Sequence, residues 1–251
     1  MTRGYLRFAA LGDSTTVGIG DRLHGGGWRG WARLLAESLS SSYDVSFCNL
    51  AISGATTTIV REQQLAEAVA HRPDLASVMV GINDTLRSTW DPVRVRDDLF
   101  AIGGRLATEG ATLFTVRFHD HSRIIGLPQF LARPLRQRID QVNEVYDELY
   151  ATYGGLRLDL ATCPELTRRE NWSIDRFHPS ELGHRALARA VADVLVESGV
   201  DVVPPRTECD GTPRSLRGDA WWMVSEGAPW VGRRARDLGP WAVRKAVAAA
   251  R

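Results

Sequence analysis

The chain has 251 residues, a formal net charge of +1, and 44% hydrophobic against 24% charged residues. This is the composition of an ordinary folded protein of one large domain with or without an appendage, and a nearly neutral chain gives no reason to expect nucleic acid as a partner. No apolar run approaches the ~20 residues that a membrane-spanning helix needs, which argues against membrane contact.

From the N terminus, strand-like and helix-like runs alternate. YLRFAAL (5–11) reads as a buried strand. GGWRGWARLLAESLSSS (26–42) places Trp28, Trp31, Leu34, Leu35 and Leu39 at helical spacing. DVSFCNLAI (44–52) is a second strand, and TTTIVREQQLAEAVAHR (56–72) a second helix ended by Pro73. DLASVMVGI (74–82) is the third strand, followed by a helix over PVRVRDDLFAIGGRLATEG (92–110). ATLFTVRF (111–118) is the fourth strand. The long run 133–154 is a helix whose stretch Arg133 to Arg138 reads as a solvated face. GLRLDLA (155–161) is the fifth strand, and SELGHRALARAVADVLVES (180–198) the last helix, with His184 a packed or capping residue.

This rhythm predicts an α/β fold, a parallel sheet covered by helices on both faces. The site in such a sheet lies beyond the carboxyl ends of its strands. Residues 201–251 break the rhythm. A Pro- and Gly-rich linker leads into a Trp- and Arg-rich segment with Trp221, Trp222, Trp230 and Trp241. We expect one large domain over 1–200 and, over 201–251, a linker and helical extension packed on that domain or on a partner, which leaves room for a homodimer.

Four polar clusters fall after strands. They are Gly12-Asp13-Ser14 after the first, NLAISGATT with Gly54 after the second, VGINDT with Asn83 after the third, and SIDRFHPSELGH with Asp175 and His178 before the last helix. Singly, each has a plain reading: Ser14 as a helix N-cap, Gly54 as a turn residue, Asn83-Asp84 as a cap, His178-Pro179 as a loop end. Together they supply an acyl-transfer site. A serine hydroxyl needs a base to become a nucleophile. An imidazole, with an ordinary pKa near ~6.5, suits that task. Asp175, three residues before His178, would hold the ring's tautomer. The N–H groups of Ser14 and Gly54 and the amide of Asn83 would bind the oxyanion.

In this order the clusters resemble the SGNH hydrolases, also called the GDSL lipases and esterases. Ser14 in GDST, Gly54 in SGAT, Asn83 in GIND and His178 in DRFHP match the four blocks of that family, and Asp175 completes its D-x-x-H pair. The resemblance spans roughly residues 5–200. It implies a three-layer α/β/α, flavodoxin-like fold with a five-stranded parallel sheet. It also implies hydrolysis of small-molecule esters or thioesters through an acyl-serine, with no cofactor and no metal. Thr15 stands where the family often has Leu. An acyltransferase or deacetylase in a small-molecule pathway, or a binding domain with a relic site, are the alternatives.

Other motifs read more plainly. Gly25 to Gly30 matches G-x-G-x-x-G but does not directly follow a strand, as a dinucleotide site would require. His119-Asp120-His121 follows the fourth strand and is expected to wall the substrate pocket rather than bind metal, since no further ligand is visible. Cys48, Cys163 and Cys209 lie far apart and form no paired motif, which predicts free thiols and a reducing compartment. The leader before Ser14 is too short for a secretion signal, so the cytoplasm is the expected location.

Overall fold

β1 (Gly4–Gly12) starts exposed, and its last five residues, from Phe8 on, are buried. A computed structural model describes residues 3–210 and, beyond them, Ala220, Val224 and Gly232. The expected Trp-rich extension, with Trp221, Trp222, Trp230 and Trp241, lies outside the described residues. After β1 come α1 (Ser14–Val17), α2 (Gly30–Leu39), β2 (Tyr43–Asn49), α3 (Thr57–Gln63), α4 (Leu65–His71), β3 (Leu75–Met79), α5 (Ile82–Thr85) and α6 (Pro92–Thr108). Then follow β4 (Thr112–Arg117), α7 (His121–Ile125), α8 (Gln129–Tyr153), β5 (Leu156–Asp159), three short 3-10 turns between 160 and 171, and α9 (Glu181–Glu197).

The five strands are all parallel, in the order β2-β1-β3-β4-β5. The chain steps outward from β1 to β2, then returns past β1 to build the other half. Alternate side chains of the strands feed two cores. Phe8 and Ala10 pack with Trp31 and Leu35 of α2 and with Leu187 and Val191 of α9 on one face. Ala9 and Leu11 pack with Leu99 and Ile102 of α6 and with Val142 and Tyr146 of α8 on the other. The result is the three-layer α/β/α arrangement, with its site-bearing edge where β1 and β3 end side by side. Among the described residues no helix is long and apolar enough to cross a membrane.

Three elements differ from the sequence reading. The run 26–42 is helical only from Gly30. Positive φ at Gly26 and Gly27 turns the chain back, and Trp28 pairs with Arg22 in an antiparallel bridge instead. The single helix expected over 56–72 is two, broken at Gln64, whose side chain turns inward. The long helix starts at Gln129, with Pro128 as its N-cap and Pro134 inside it. Pro134 is the sixth helical residue and has no N–H for Phe130 O, so one intrahelical bond is missing there. Nor is its arginine face wholly solvated: Arg138 is half-buried and donates to Thr85 O and Arg87 O at 2.8 and 2.9 Å.

Residues 201–210 run back along α9 toward its N terminus. Arg189 Nη1 donates to Pro205 O at 2.6 Å, Arg185 Nη1 to Arg206 O at 3.1 Å, and Asp210 N to Glu181 Oε1 at 2.8 Å. Asp210 also meets the buried Arg29 at 2.5 Å, and Arg29 in turn pairs with the fully buried Asp21 at 3.0 Å.

Candidate active site

The turn after β1 is held from two sides. Gly12 N donates to Gln64 Oε1 and Gln64 Nε2 donates to Gly12 O, both at 2.9 Å, so one buried amide imitates a neighbouring strand. Val60, Gln64 and Ala68, four residues apart, are all buried on the same helical side. An amide on an apolar stripe was the sequence signal for this role, and the sequence reading passed over it. On the other side, Asp13 caps α1 by accepting from Thr15 N at 3.0 Å. The cap is therefore Asp13, and Ser14 is left as the first helical residue with its hydroxyl available.

His178 comes to that hydroxyl from the far end of the chain. Its Nε2 lies 2.9 Å from Ser14 Oγ, and its Nδ1 lies 2.6 Å from Asp175 Oδ2. The second oxygen of Asp175 accepts from the backbone N–H of Phe177 and His178 at 3.0 and 3.2 Å, which fixes the carboxylate. All three side chains are buried or nearly so. Two contacts set the separation of the loops. His184, fully buried, accepts from Trp31 N through Nδ1 at 3.3 Å and donates from Nε2 to Ile19 O at 3.0 Å. Burial lowers its pKa to about 4, so it stays a neutral strut. Gly20 (φ +108) faces the His178 loop so closely that a Cβ there would sit 1.9 Å from Pro179 O. Only glycine permits both the φ and the approach.

Asn83 is buried at the start of α5, just beyond β3, and donates from Nδ2 to Asp13 Oδ2 at 3.1 Å. Burial pushes the Asp13 carboxyl up to about 6, against the hydrogen bonds from Thr15 and Asn83 that favour its charge. The neighbouring Asp84 is raised to about 6 for the same reason, though Thr57 donates to it through N and Oγ1. Gly54 (φ +77) lies in a half-exposed turn at the same sheet edge. Two residues before it, Ile52 N donates to Gly12 O at 3.2 Å, which ties this turn to the nucleophile turn.

Ser14, Asn83 and His178 open onto one cavity of about 70 Å³. Its walls are largely apolar, with Met79, Leu86, Phe118, Leu160 and Trp172 among them, and His119 and His121 complete them as expected of a pocket wall. Gly54 does not line it. Among the described residues no group of three or more His, Cys, Asp or Glu is arranged to hold a metal ion. The arrangement can pass a proton from Ser14 Oγ to His178 while Asp175 balances the imidazolium, among largely buried groups.

Comparison with known proteins gives the family and the fold. Residues 10–186 match the model of the GDSL-like lipase/acylhydrolase family. An acetylxylan esterase of Geobacillus stearothermophilus is 24% identical over 164 residues, 62% of this chain and 74% of that protein. The crystal structure of an acetylxylan esterase from the same organism superposes with a TM-score of 0.62 at 22% identity, covering 83% of this chain and 100% of the other. A psychrotrophic esterase from Pseudoalteromonas sp. gives a TM-score of 0.61 at 14% identity, over 78% and 99% of the two chains.

Proposed function

Because the chain belongs to the GDSL-like lipase/acylhydrolase family, the SGNH hydrolases, and is an esterase of that type, we propose that it cleaves short-chain carboxylic esters through an acyl-serine at Ser14. The observation that carries the reading is the continuous relay Ser14 Oγ, His178, Asp175, with links of 2.9 and 2.6 Å, at the mouth of a small apolar cavity. Ser14 Oγ attacks the ester carbonyl while His178 Nε2 takes its proton. Asp175 keeps the Nδ1 proton in place and offsets the imidazolium charge. The carbonyl oxygen becomes an oxyanion, which the Asn83 amide, held by Asp13, and the Ser14 N–H at the first turn of α1 stabilise. The Gly54 N–H, in the turn tethered to Gly12 but outside the cavity wall, is the third donor that this reading assigns to the tetrahedral complex. His178 returns its proton to the leaving alcohol. Water then repeats the sequence on the acyl-enzyme.

The cavity, about 70 Å³, favours a small acyl group, and the likeness to an acetylxylan esterase supports acetyl esters as the first substrates to try. Three free thiols, with Cys209 exposed, favour a reducing setting such as the cytoplasm. The test is a series of p-nitrophenyl esters from acetyl upward, beside acyl-CoA thioesters, with fluorophosphonate labelling of Ser14. The expected result is a rate maximum at the shortest acyl chains and a label that Ser14→Ala abolishes. Absence of both would overturn the proposal.

A further inference from the structure

Two imidazoles in the cavity wall take no part in the relay. His119 and His121 stand with ring centroids 5.3 Å apart, and His121 Nδ1 lies 3.2 Å from His119 Nε2. Trp172 sets its edge or face against both rings at 5.5 and 4.9 Å. Its own N–H is spent on Leu166 O at 2.8 Å, so it offers them no hydrogen bond. The outer nitrogens, His119 Nδ1 and His121 Nε2, are buried and have no hydrogen-bond partner in the protein. Both rings are more than nine-tenths buried, with 8% and 6% exposure. Buried polar atoms without partners are rare, because each has given up water for nothing. Two on residues that line the substrate cavity mark a place where a ligand supplies what is missing, reached by a small turn of the rings, since both atoms are closed off as the wall stands.

Counting protons identifies the kind of ligand. Burial takes the His119 imidazole down to about 4 and that of His121 well below its ordinary value, so both rings are neutral. A neutral imidazole has one N–H and one lone pair. The bond between the rings consumes one of each. If His119 donates to His121, the outer nitrogen of His119 is a lone pair and that of His121 an N–H. If His121 donates, the two are exchanged. In either arrangement the wall presents one donor and one acceptor, separated by the shared bond, and each needs its own partner. A carbonyl or carboxylate oxygen satisfies only the donor, and an ammonium only the acceptor. A hydroxyl satisfies whichever end it meets.

We infer that His119 and His121 form a hydroxyl-reading wall, which selects esters bearing free aliphatic hydroxyls close to the scissile bond. Two parts of an ester can carry them: a polyol or sugar as the alcohol, or a polyhydroxy acid as the acyl group. The inference rests on the esterase reading above and adds the chemistry of its substrate. His119 and His121 are specificity residues here, since Ser14 and His178 perform the bond cleavage.

The test compares kcat/KM within two matched pairs. The alcohol arm sets glycerol monoacetate against the branched pentyl acetate in which methyl groups replace both hydroxyls. The acyl arm sets methyl glycerate against the methyl ester with the same two replacements. In the wild-type protein the hydroxylated member wins by about tenfold or more in at least one arm, the worth of a hydrogen bond to an otherwise unpaired buried group. That arm says which part of the substrate meets the wall. His119→Phe and His121→Phe bring the ratio to near one, and His121→Gln, which keeps a donor and an acceptor, restores part of it. The ratio is internal to each protein, so a variant's folded fraction cancels. The wild-type ratio alone serves if a variant does not fold. A wild-type ratio of one in both arms overturns the inference while leaving the esterase reading standing. So does a preference that both Phe variants retain. No Ser14-dependent hydrolysis of any of the four esters overturns both.

Discussion

His178 and the pair His119–His121 line the same cavity and are wired in opposite ways. His178 has a partner at each nitrogen, Asp175 at 2.6 Å and Ser14 at 2.9 Å. The pair spends its inner nitrogens on one another and leaves the outer ones unmet by protein. An imidazole fastened at both nitrogens has its tautomer and its direction fixed, which suits moving a proton along one line. An imidazole fastened at one end keeps a hydrogen-bonding valence for a ligand. His184 qualifies the contrast: it too is fastened at both nitrogens, to Trp31 and Ile19, and is only a strut. What separates it from His178 is that its partners are backbone groups rather than a carboxylate and a hydroxyl facing a cavity.

The largest effect that would break this contrast is on the wired side. Ser14→Ala should lower kcat by more than ~1000-fold while the melting temperature stays near that of the wild type. Near-normal turnover in a folded variant would remove Ser14 from the chemistry. Asp175→Asn keeps the shape but takes away the charge that holds the His178 tautomer, and kcat should fall by roughly 10³–10⁴ with little change in KM. A loss within a few fold would mean that His178 is oriented by its other contacts. Asn83→Ala should cost about 100-fold in kcat, more than it raises KM, because the oxyanion exists mainly in the transition state. If KM alone moves, Asn83 binds the ground state.

The unwired side is sharpened by pH. Burial depresses the folded-state pKa of His119, to about 4, and of His121. Keeping His119 neutral therefore costs no deprotonation above the ordinary imidazole range, and stability is lost as pH falls from about 6.5 toward 4, where the unfolded chain binds protons first. Asp13 and Asp84 act in the opposite sense. Their folded values are raised to about 6, so their contribution is greatest below the ordinary carboxylate value and is lost as pH rises from about 4 to 6. Melting curves across this window should show His119→Phe losing less stability on acidification than wild type, and Asp13→Asn losing less as pH is raised. Each change should be on the order of 1–3 kcal/mol. Parallel curves would mean that these groups are solvated. The smallest expected effect is none: EDTA should leave the hydrolytic rate unchanged. A strong loss reversed by added metal would make His119 and His121 ligands instead of a wall.

The sheet and the relay were legible because their signals are local. Each strand is a short apolar run, and Asp175 and His178 share one loop. The order of the blocks then carried Ser14 and Asn83 to the same edge. Gln64 could be read only as an amide on an apolar stripe; its partner, Gly12, is 52 residues away, and the helical pattern on either side hides the break. Ser14 and Asp13 are both good N-caps by propensity, and only the backbone shows that Asp13 takes the role. The His119–Asp120–His121 run was readable as a pocket wall, but the bond between its rings follows from rotamers that no spacing encodes.

The separation of 164 positions between Ser14 and His178 also imposes a schedule. At the pace of bacterial or eukaryotic ribosomes, the serine emerges on the order of ten to thirty seconds before the histidine proposed to activate it. All five strands, ending at Asp159, have been made by then. Until His178 follows, a nascent chain carries Ser14 without the base that the proposed relay requires. In the proposed mechanism Ser14 gains its base only when α9 docks and His184 reaches Ile19 and Trp31. On that mechanism, anything that later lifts the helix, whether heat, a protease or a binding protein, would disarm Ser14 without touching it.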